Sequence, residues 1–261
     1  MDYQKIQVEA REKVVMLKLN NPEQKNNLNN QVSKELSHAI NYFNDNEQIK
    51  VILLTGNEDA FSAGGDLKSF KENIKLTPAR HYKQLKESLE LFKAIQELKK
   101  PFLVGVNGPA FGGGVGLVAA AHIAIASEKA VFGLTEINLG LLPYVISPLI
   151  IEATGNKKFL ELMLTGQKFS ADEAREMGLV SRVVKDERLV EELWALGQKI
   201  ADFSPLATEL AIDLYKINQL QNIEKIQKIM GVYRIISFTS DDLKEGISAF
   251  FEKRKPEFKG E

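Results

Sequence analysis

Two glycine-rich turns carry the residues most able to do chemistry in this chain. One is "SAGGD", residues 62–66, and the other is "GPAFGGGVG", residues 108–116, with five glycines in nine positions. Each follows an apolar run, "VILLTG" in the first case and "FLVGV" in the second. A glycine inside a helix costs about 1 kcal/mol relative to alanine, so a sequence that concentrates them needs a compensating reason. One reason is close packing of helix on strand; the other is a ligand that must touch bare backbone. A turn leading into a helix offers unpaired N–H groups at the positive end of the helix dipole. Two such N–H groups, one from each turn, can converge on a single oxygen. That arrangement is an oxyanion hole, where each donor is worth roughly 3 kcal/mol in a transition state. The spacing alone fits both packing and oxyanion binding.

Other chemistries are disfavoured. The glycines do not make G-x-G-x-x-G, because Leu117 stands at the last position, so a dinucleotide fingerprint is not expected. Neither G-x-x-x-x-G-K-[ST] nor G-x-S-x-G occurs. His38, His81 and His122 are scattered, without metal-ligand or triad spacing, and read as structural. With no cysteine there is no disulfide, thiolate metal site or cysteine nucleophile, and neither a metal nor a separate cofactor is expected. A formal net charge of -1 gives no general attraction to nucleic acid or to an anionic membrane. The start, "MDYQKIQVEAREKVV", lacks the pattern of a signal peptide, which together with the absence of cysteine leads to the expectation of a cytoplasmic protein. Residues 101–127 carry no Asp, Glu, Lys or Arg, but Asn107, Gly108, Pro109 and the glycine cluster break this stretch into strand, turn, buried helix and strand rather than a membrane span.

The elements that must hold these turns follow from periodicity. "YQKIQVEA" and "KVVMLKL" predict a hairpin, and "QVSKELSHAINYFND" a helix with Val32, Leu36, Ile40 and Phe43 on one face. "VILLTG", "FLVGV", "HIAIAS", a short run at Val131 and Phe132, and "LVSRVV" predict strands. A long helix is expected in "TPARHYKQLKESLELFKAIQELKK", with Pro78 in its first turn. Ser170 with Glu173 predicts a capping box, and Gly178 a helix end. Strands alternating with helices indicate an α/β core. From about Glu187 onward only helices are expected, interrupted at Ser204-Pro205 and near Ser240. The division expected is an α/β core over residues 1–195 and a helical subdomain over 196–261.

The stretches "AFSAGGDL", "NGPAFGGGVGL", "AVFGLTEINLGLLP", "LTGQKFSADEAREMGLVSRVV" and "GISAFFEKRKPEF" occur in this order along nearly the whole chain. Together they resemble the crotonase superfamily, the enoyl-CoA hydratases and isomerases. The resemblance implies a spiral of ββα repeats with a helical C-terminal trimerisation region, and a homotrimer or dimer of trimers. It implies an acyl-CoA thioester as substrate, with coenzyme A as part of that substrate. The oxyanion donors it implies are Gly65 and Gly113. Of the two glutamates of the hydratases, the second corresponds to Glu136 and the first falls on Gly116, so a single carboxylate remains. Glu136 has an alternative role at a helix start, after Thr135. If buried, its pKa would rise toward neutrality and suit it to acid–base work.

For the CoA portion the resemblance points to Lys25, Asn27 and Leu28, to Ala63, Gly64, Asp66 and Leu67, and to Phe250 and Lys253 near the C-terminus. Lys68 is a further candidate cation. "LLPYVISPLI", with Pro143 and Tyr144, is expected to line the acyl pocket beside Gly116. The activity implied is hydration of an enoyl-CoA, including the methylglutaconyl type. The alternatives are Δ3,Δ2-enoyl-CoA isomerisation by the single carboxylate and, from another class, an inactive acyl-CoA-binding scaffold.

Overall fold

The runs of Val, Ile and Leu in the first half of the chain form a sheet buried on both faces. The structure, a computed structural model, describes residues 2–73, 77–218 and 241–260. Strands β1 (Ile6–Arg11) and β2 (Val14–Leu19) form the expected hairpin. Strands β3 (Val51–Thr55), β4 (Phe102–Val106), β6 (Ile123–Ser127) and β9 (Arg182–Val184) follow in parallel, giving the order β1-β2-β3-β4-β6-β9. Successive residues point to opposite faces of a strand. On one face Val15, Leu17, Ile52, Leu54, Val104 and Val106 join the larger core. On the other, Val14, Met16, Val51, Leu53, Leu103 and Ile125 pack with Leu189, Leu193 and Trp194. Both faces are covered, which is why these strands read as continuous apolar runs instead of alternating ones.

Helix α1 (Asn30–Asp45) buries Val32, Leu36, Ala39, Ile40 and Phe43, and Asn29 caps it by accepting from Val32 N–H at 2.9 Å. Helices α2 (Leu67–Asn73) and α3 (Pro78–Gln96) lie between β3 and β4, and α4 (Gly113–Ala119) lies between β4 and β6. The charge-free stretch therefore folds as strand, turn, helix, strand. Among the described residues no helix is long and apolar enough to cross a membrane.

A second, three-stranded sheet was not anticipated. It joins β5 (Ala110–Phe111) in parallel to β7 (Val131–Gly133), and β7 in antiparallel fashion to β8 (Lys168–Ser170). Its strands have two or three residues, too few to show a period. Helices α5 (Ser147–Thr154) and α6 (Asn156–Thr165) precede β8, and α7 (Ala171–Glu176) follows it. The capping box is present at the start of α7: the Ser170 hydroxyl accepts from Glu173 N–H at 3.2 Å, and Glu173 accepts from Ser170 N–H at 2.7 Å.

The C-terminal region is helical, with α8 (Leu189–Ala201), α9 (Pro205–Asn218) and a last helix over Asp241–Glu252. A break lies at Ser204-Pro205, as expected; the one expected near Ser240 falls outside the described residues. The 195/196 division lies within α8, whose Leu189, Leu193 and Trp194 cover the second face of the sheet.

The capping box is exposed, and its side-chain hydrogen bonds stay between Ser170 and Glu173, so its removal reads local energetics. Ser170→Ala is expected to lower the unfolding free energy by about 1 kcal/mol, measured by urea denaturation. A loss above about 3 kcal/mol would mean that Ser170 carries more than the cap.

Candidate active site

The two glycine turns meet in space, held by backbone hydrogen bonds. Phe111 N–H donates to Ser62 O at 2.9 Å, and Phe61 and Ser62 N–H groups donate to Pro109 O at 3.2 and 3.1 Å. Gly64 lies directly against the second turn: a Cβ placed on it would be 2.4 Å from Phe111 O and 3.2 Å from Gly113 N. Gly64 (φ +80°) and Gly112 (φ +48°) take left-handed conformations that other residues rarely adopt. Packing explains two more glycines. A Cβ at Gly114 would lie 2.7 Å from Ser62 O, and one at Gly116 would lie 2.2 Å from Ile146 Cγ2 and 3.2 Å from Phe92 Cε1.

Gly65 and Gly113 differ from their neighbours. Gly64, Gly112 and Gly114 are buried, whereas Gly65 and Gly113 are partly exposed. Among the described residues, neither the Gly65 N–H nor the Gly113 N–H has an acceptor. Gly113 is the first residue of α4, so its amide is one of the donors a helix start leaves unpaired. Open donors and packing occur together there: a Cβ would lie 2.4 Å from Phe70 Cζ at Gly65 and 3.0 Å from Leu28 Cδ1 at Gly113.

Glu136 enters from a third element, the 3₁₀ turn Thr135–Leu139 that follows β7. The β5–β7 pairing and the hydrogen bond from Gly112 N–H to Gly133 O (3.0 Å) bring this turn beside the second glycine turn. A Cβ on Gly112 would lie 2.8 Å from Glu136 Oε1. The carboxylate therefore sits against the residue preceding Gly113. Its Oε2 is buried and has no hydrogen-bond partner among the described residues. Burial pushes the Glu136 carboxyl above its ordinary value, partly offset by its own main-chain N–H. A buried carboxylate oxygen with no partner is costly, and such groups concentrate at functional sites.

The other expected positions divide. Lys25 O accepts from Ala63 N–H at 2.8 Å, and Leu28 N–H donates to Gly64 O at 2.7 Å, so these residues flank the first turn. Asn27 donates to Asp66 Oδ1 at 3.1 Å. Asp66 also accepts from the Ser69 hydroxyl (2.6 Å) and from the N–H groups of Lys68 and Ser69 (3.2 and 3.3 Å). Burial would raise Asp66, but these bonds and the Lys68 charge hold it below the usual carboxylate range. Leu67 and Lys68 are exposed. Pro143 is buried and Tyr144 is 67% exposed. Ile146 fills the space beside Gly116. Lys253 is exposed beyond the last helix, with no hydrogen bond or ion pair to the two turns among the described residues. Phe250 lies on that helix, and its side chain falls outside the described residues.

The histidines are structural where described. His38 Nδ1 pairs with the Tyr3 hydroxyl at 2.8 Å, and His122 Nδ1 accepts from Phe102 N–H at 2.9 Å. Burial, with Lys216 nearby, pushes His122 down to about 4, leaving it neutral at pH 7. The side chain of His81 lies outside the described residues. Sequence reasoning missed the polar residues that lock the turns: Asn21, Asn26, Ser62 and Asn107. Asn107 accepts from Gly56 N–H at 3.0 Å and donates to Glu58 O at 2.8 Å. The density of asparagines in "NNPEQKNNLNN" was the available signal.

A six-stranded, mainly parallel sheet that presents two touching glycine turns and a neighbouring half-buried glutamate is a crotonase-type α/β architecture. An enoyl-CoA hydratase crystal structure from Bacillus anthracis superposes with a TM-score of 0.92, at 32% identity, covering 99% of this chain and 100% of that one. A family model for enoyl-CoA hydratase/isomerase matches residues 9–261, and the chain belongs to that family. It is 36% identical over 255 residues to a Bacillus subtilis protein named probable enoyl-CoA hydratase, covering 95% of this chain and 96% of that one. It is 32% identical over 260 residues to a crotonyl-CoA hydratase of Syntrophomonas wolfei, covering 99% of each.

The buried carboxyl has a consequence for stability. Its folded-state pKa lies above the ordinary 4.5, so between those two values the folded chain holds more proton than the unfolded one. Stability attributable to this group therefore falls as pH rises through that window. Glu136→Gln removes the penalty. Its melting temperature is expected to match the parent below pH 4.5 and exceed it at neutral pH. A gap that does not change with pH would contradict the burial of this group.

Proposed function

We propose that the chain hydrates an enoyl-CoA thioester, with the Gly65 and Gly113 N–H groups holding the thioester oxygen and Glu136 as the sole acid–base. The observation that carries this reading is the buried, unpartnered Glu136 Oε2, with the carboxylate seated beside the second glycine turn. Attack of water at C3 pushes the double-bond electrons toward the carbonyl, and negative charge gathers on the thioester oxygen. Fixed N–H donors stabilise that charge without having to reorient. Glu136 takes a proton from the attacking water and returns it to C2, so the same group serves as base and then acid. Its raised pKa suits both halves of the cycle.

Coenzyme A belongs to the substrate, and no separate cofactor takes part. The Lys25–Leu28 and Ala63–Leu67 segments would receive the CoA portion, with Lys68, Lys253 and Phe250 as further candidates. Self-association into a trimer or a dimer of trimers is part of the same reading. It is supported by Leu139, Leu160 and Leu164, which are 56%, 48% and 59% exposed; the 3₁₀ turn that carries Glu136 and Leu139 packs on α6, which carries the other two. Exposed leucines on neighbouring elements fit an interaction surface.

One observation favours a second reading. At Gly116 the place of a second carboxylate is filled by Ile146 and Phe92. Moving one proton from C2 to C4 of a 3-enoyl-CoA needs a single carboxylate and no activated water, so isomerisation fits that apolar contact.

Incubation with crotonyl-CoA and with a 3-enoyl-CoA separates the readings. Loss of the conjugated-thioester absorbance with crotonyl-CoA is the expected result; its appearance with the 3-enoyl substrate marks isomerisation. Binding with neither change would leave a scaffold that holds acyl-CoA without turning it over. Glu136→Gln should fold and lose at least about a hundredfold in kcat, and near-normal turnover would remove Glu136 from the chemistry.

A further inference from the structure

We infer that Asn26 is a positioning residue for the oxyanion turn, clamping the 21–28 loop to the 57–64 segment so that the Gly65 N–H keeps its aim. This rests on the reading of Gly65 as an oxygen-binding donor. Asn26 is fully buried (0% exposed), and every polar atom of its side chain is used. Nδ2 donates to Ala60 O at 2.8 Å and to Asn57 O at 3.2 Å, and Oδ1 accepts from Asn21 N–H at 2.8 Å. Its carbonyl accepts from the Ser62 hydroxyl at 2.7 Å, and that same hydroxyl accepts from Gly64 N–H at 3.2 Å. A continuous chain of hydrogen bonds thus runs from Asn26 to the residue bonded to Gly65. On either side, the Ala63 N–H bond to Lys25 O and the Leu28 N–H bond to Gly64 O close the ladder.

The backbone points the same way. Lys25 and Asn26 both lie in the left-handed region, at φ 49° and 54°. Two consecutive non-glycine residues there are uncommon and persist only where the surroundings hold them. The side chain required must combine two donors with one acceptor at short reach and tolerate that conformation. Asparagine meets both demands. Aspartate lacks the donors, and glutamine sets its amide one carbon too far out.

The test compares Asn26→Gly, which permits the left-handed backbone but removes the three side-chain bonds, with Ser62→Ala, which cuts the same chain of bonds at its next link. The readout is the carbonyl stretch of ¹³C-labelled butyryl-CoA bound to the protein, alongside kcat and KM. In the parent the stretch should fall on binding. In both variants that fall should shrink, with kcat down about tenfold to a hundredfold and KM changed by less than about threefold. A merely structural role would lower the melting temperature and the folded fraction while leaving the stretch of bound thioester as in the parent, and that result overturns the inference. Should Asn26→Gly fail to fold, Ser62→Ala decides by the same readout. No fall of the stretch in the parent itself would overturn the oxyanion reading, and this inference with it; a normal parent with unaltered variants sinks the inference alone.

Discussion

The contact between the two glycine turns is the constraint on which the rest of the structure depends. The Phe111 N–H bond to Ser62 O ties the turn after β3 to the turn after β4. Each strand end alone would present an ordinary turn. Joined, they leave two partly exposed amides, at Gly65 and Gly113, without acceptors among the described residues. The neighbouring glycines allow the approach: Gly64 and Gly112 by their backbone conformations, Gly114 by letting Ser62 O come close. The parallel pairing of β3 and β4 brings both turns to the same edge of the sheet, where ligands bind in open α/β sheets.

The second, small sheet supplies the acid. The β5–β7 pairing is only two residues long, yet it places the 3₁₀ turn of Glu136 beside Gly112. Backbone pairing thus fixes a carboxylate relative to an amide donor without a long lever between them. Burial then makes the charged form of Glu136 expensive and lifts its carboxyl above the ordinary value. Positioning and pKa have one cause, the close packing of that turn against the glycine-rich one.

Much of the scaffold was legible in the sequence because it obeys simple periods. The apolar runs of β2, β3, β4 and β6, the i, i+4 stripe from Val32 to Phe43, and the Ser170–Glu173 box are local signals. The short strands β5 and β8 were not legible, since two or three residues cannot display alternation. The glycine turns were visible, but whether they served packing or a ligand was not, because close packing and open amide donors occur within one motif. Glu136 was found through its resemblance to a family and not through its spacing. The asparagine-rich stretch marked a turn, but the hydrogen-bond partners of Asn26 and Ser62 lie across about 36 positions of sequence, which no local pattern reveals. The Gly116–Ile146 contact is of the same long-range kind.

The most direct measurement of the central claim is the structure of the protein crystallised with a bound acyl-CoA. The account predicts the thioester oxygen within about 2.7–3.1 Å of both the Gly65 and Gly113 nitrogens, with the Glu136 carboxylate facing C2. A thioester oxygen that meets neither amide, or an acyl chain whose C2 is turned away from Glu136, would contradict it.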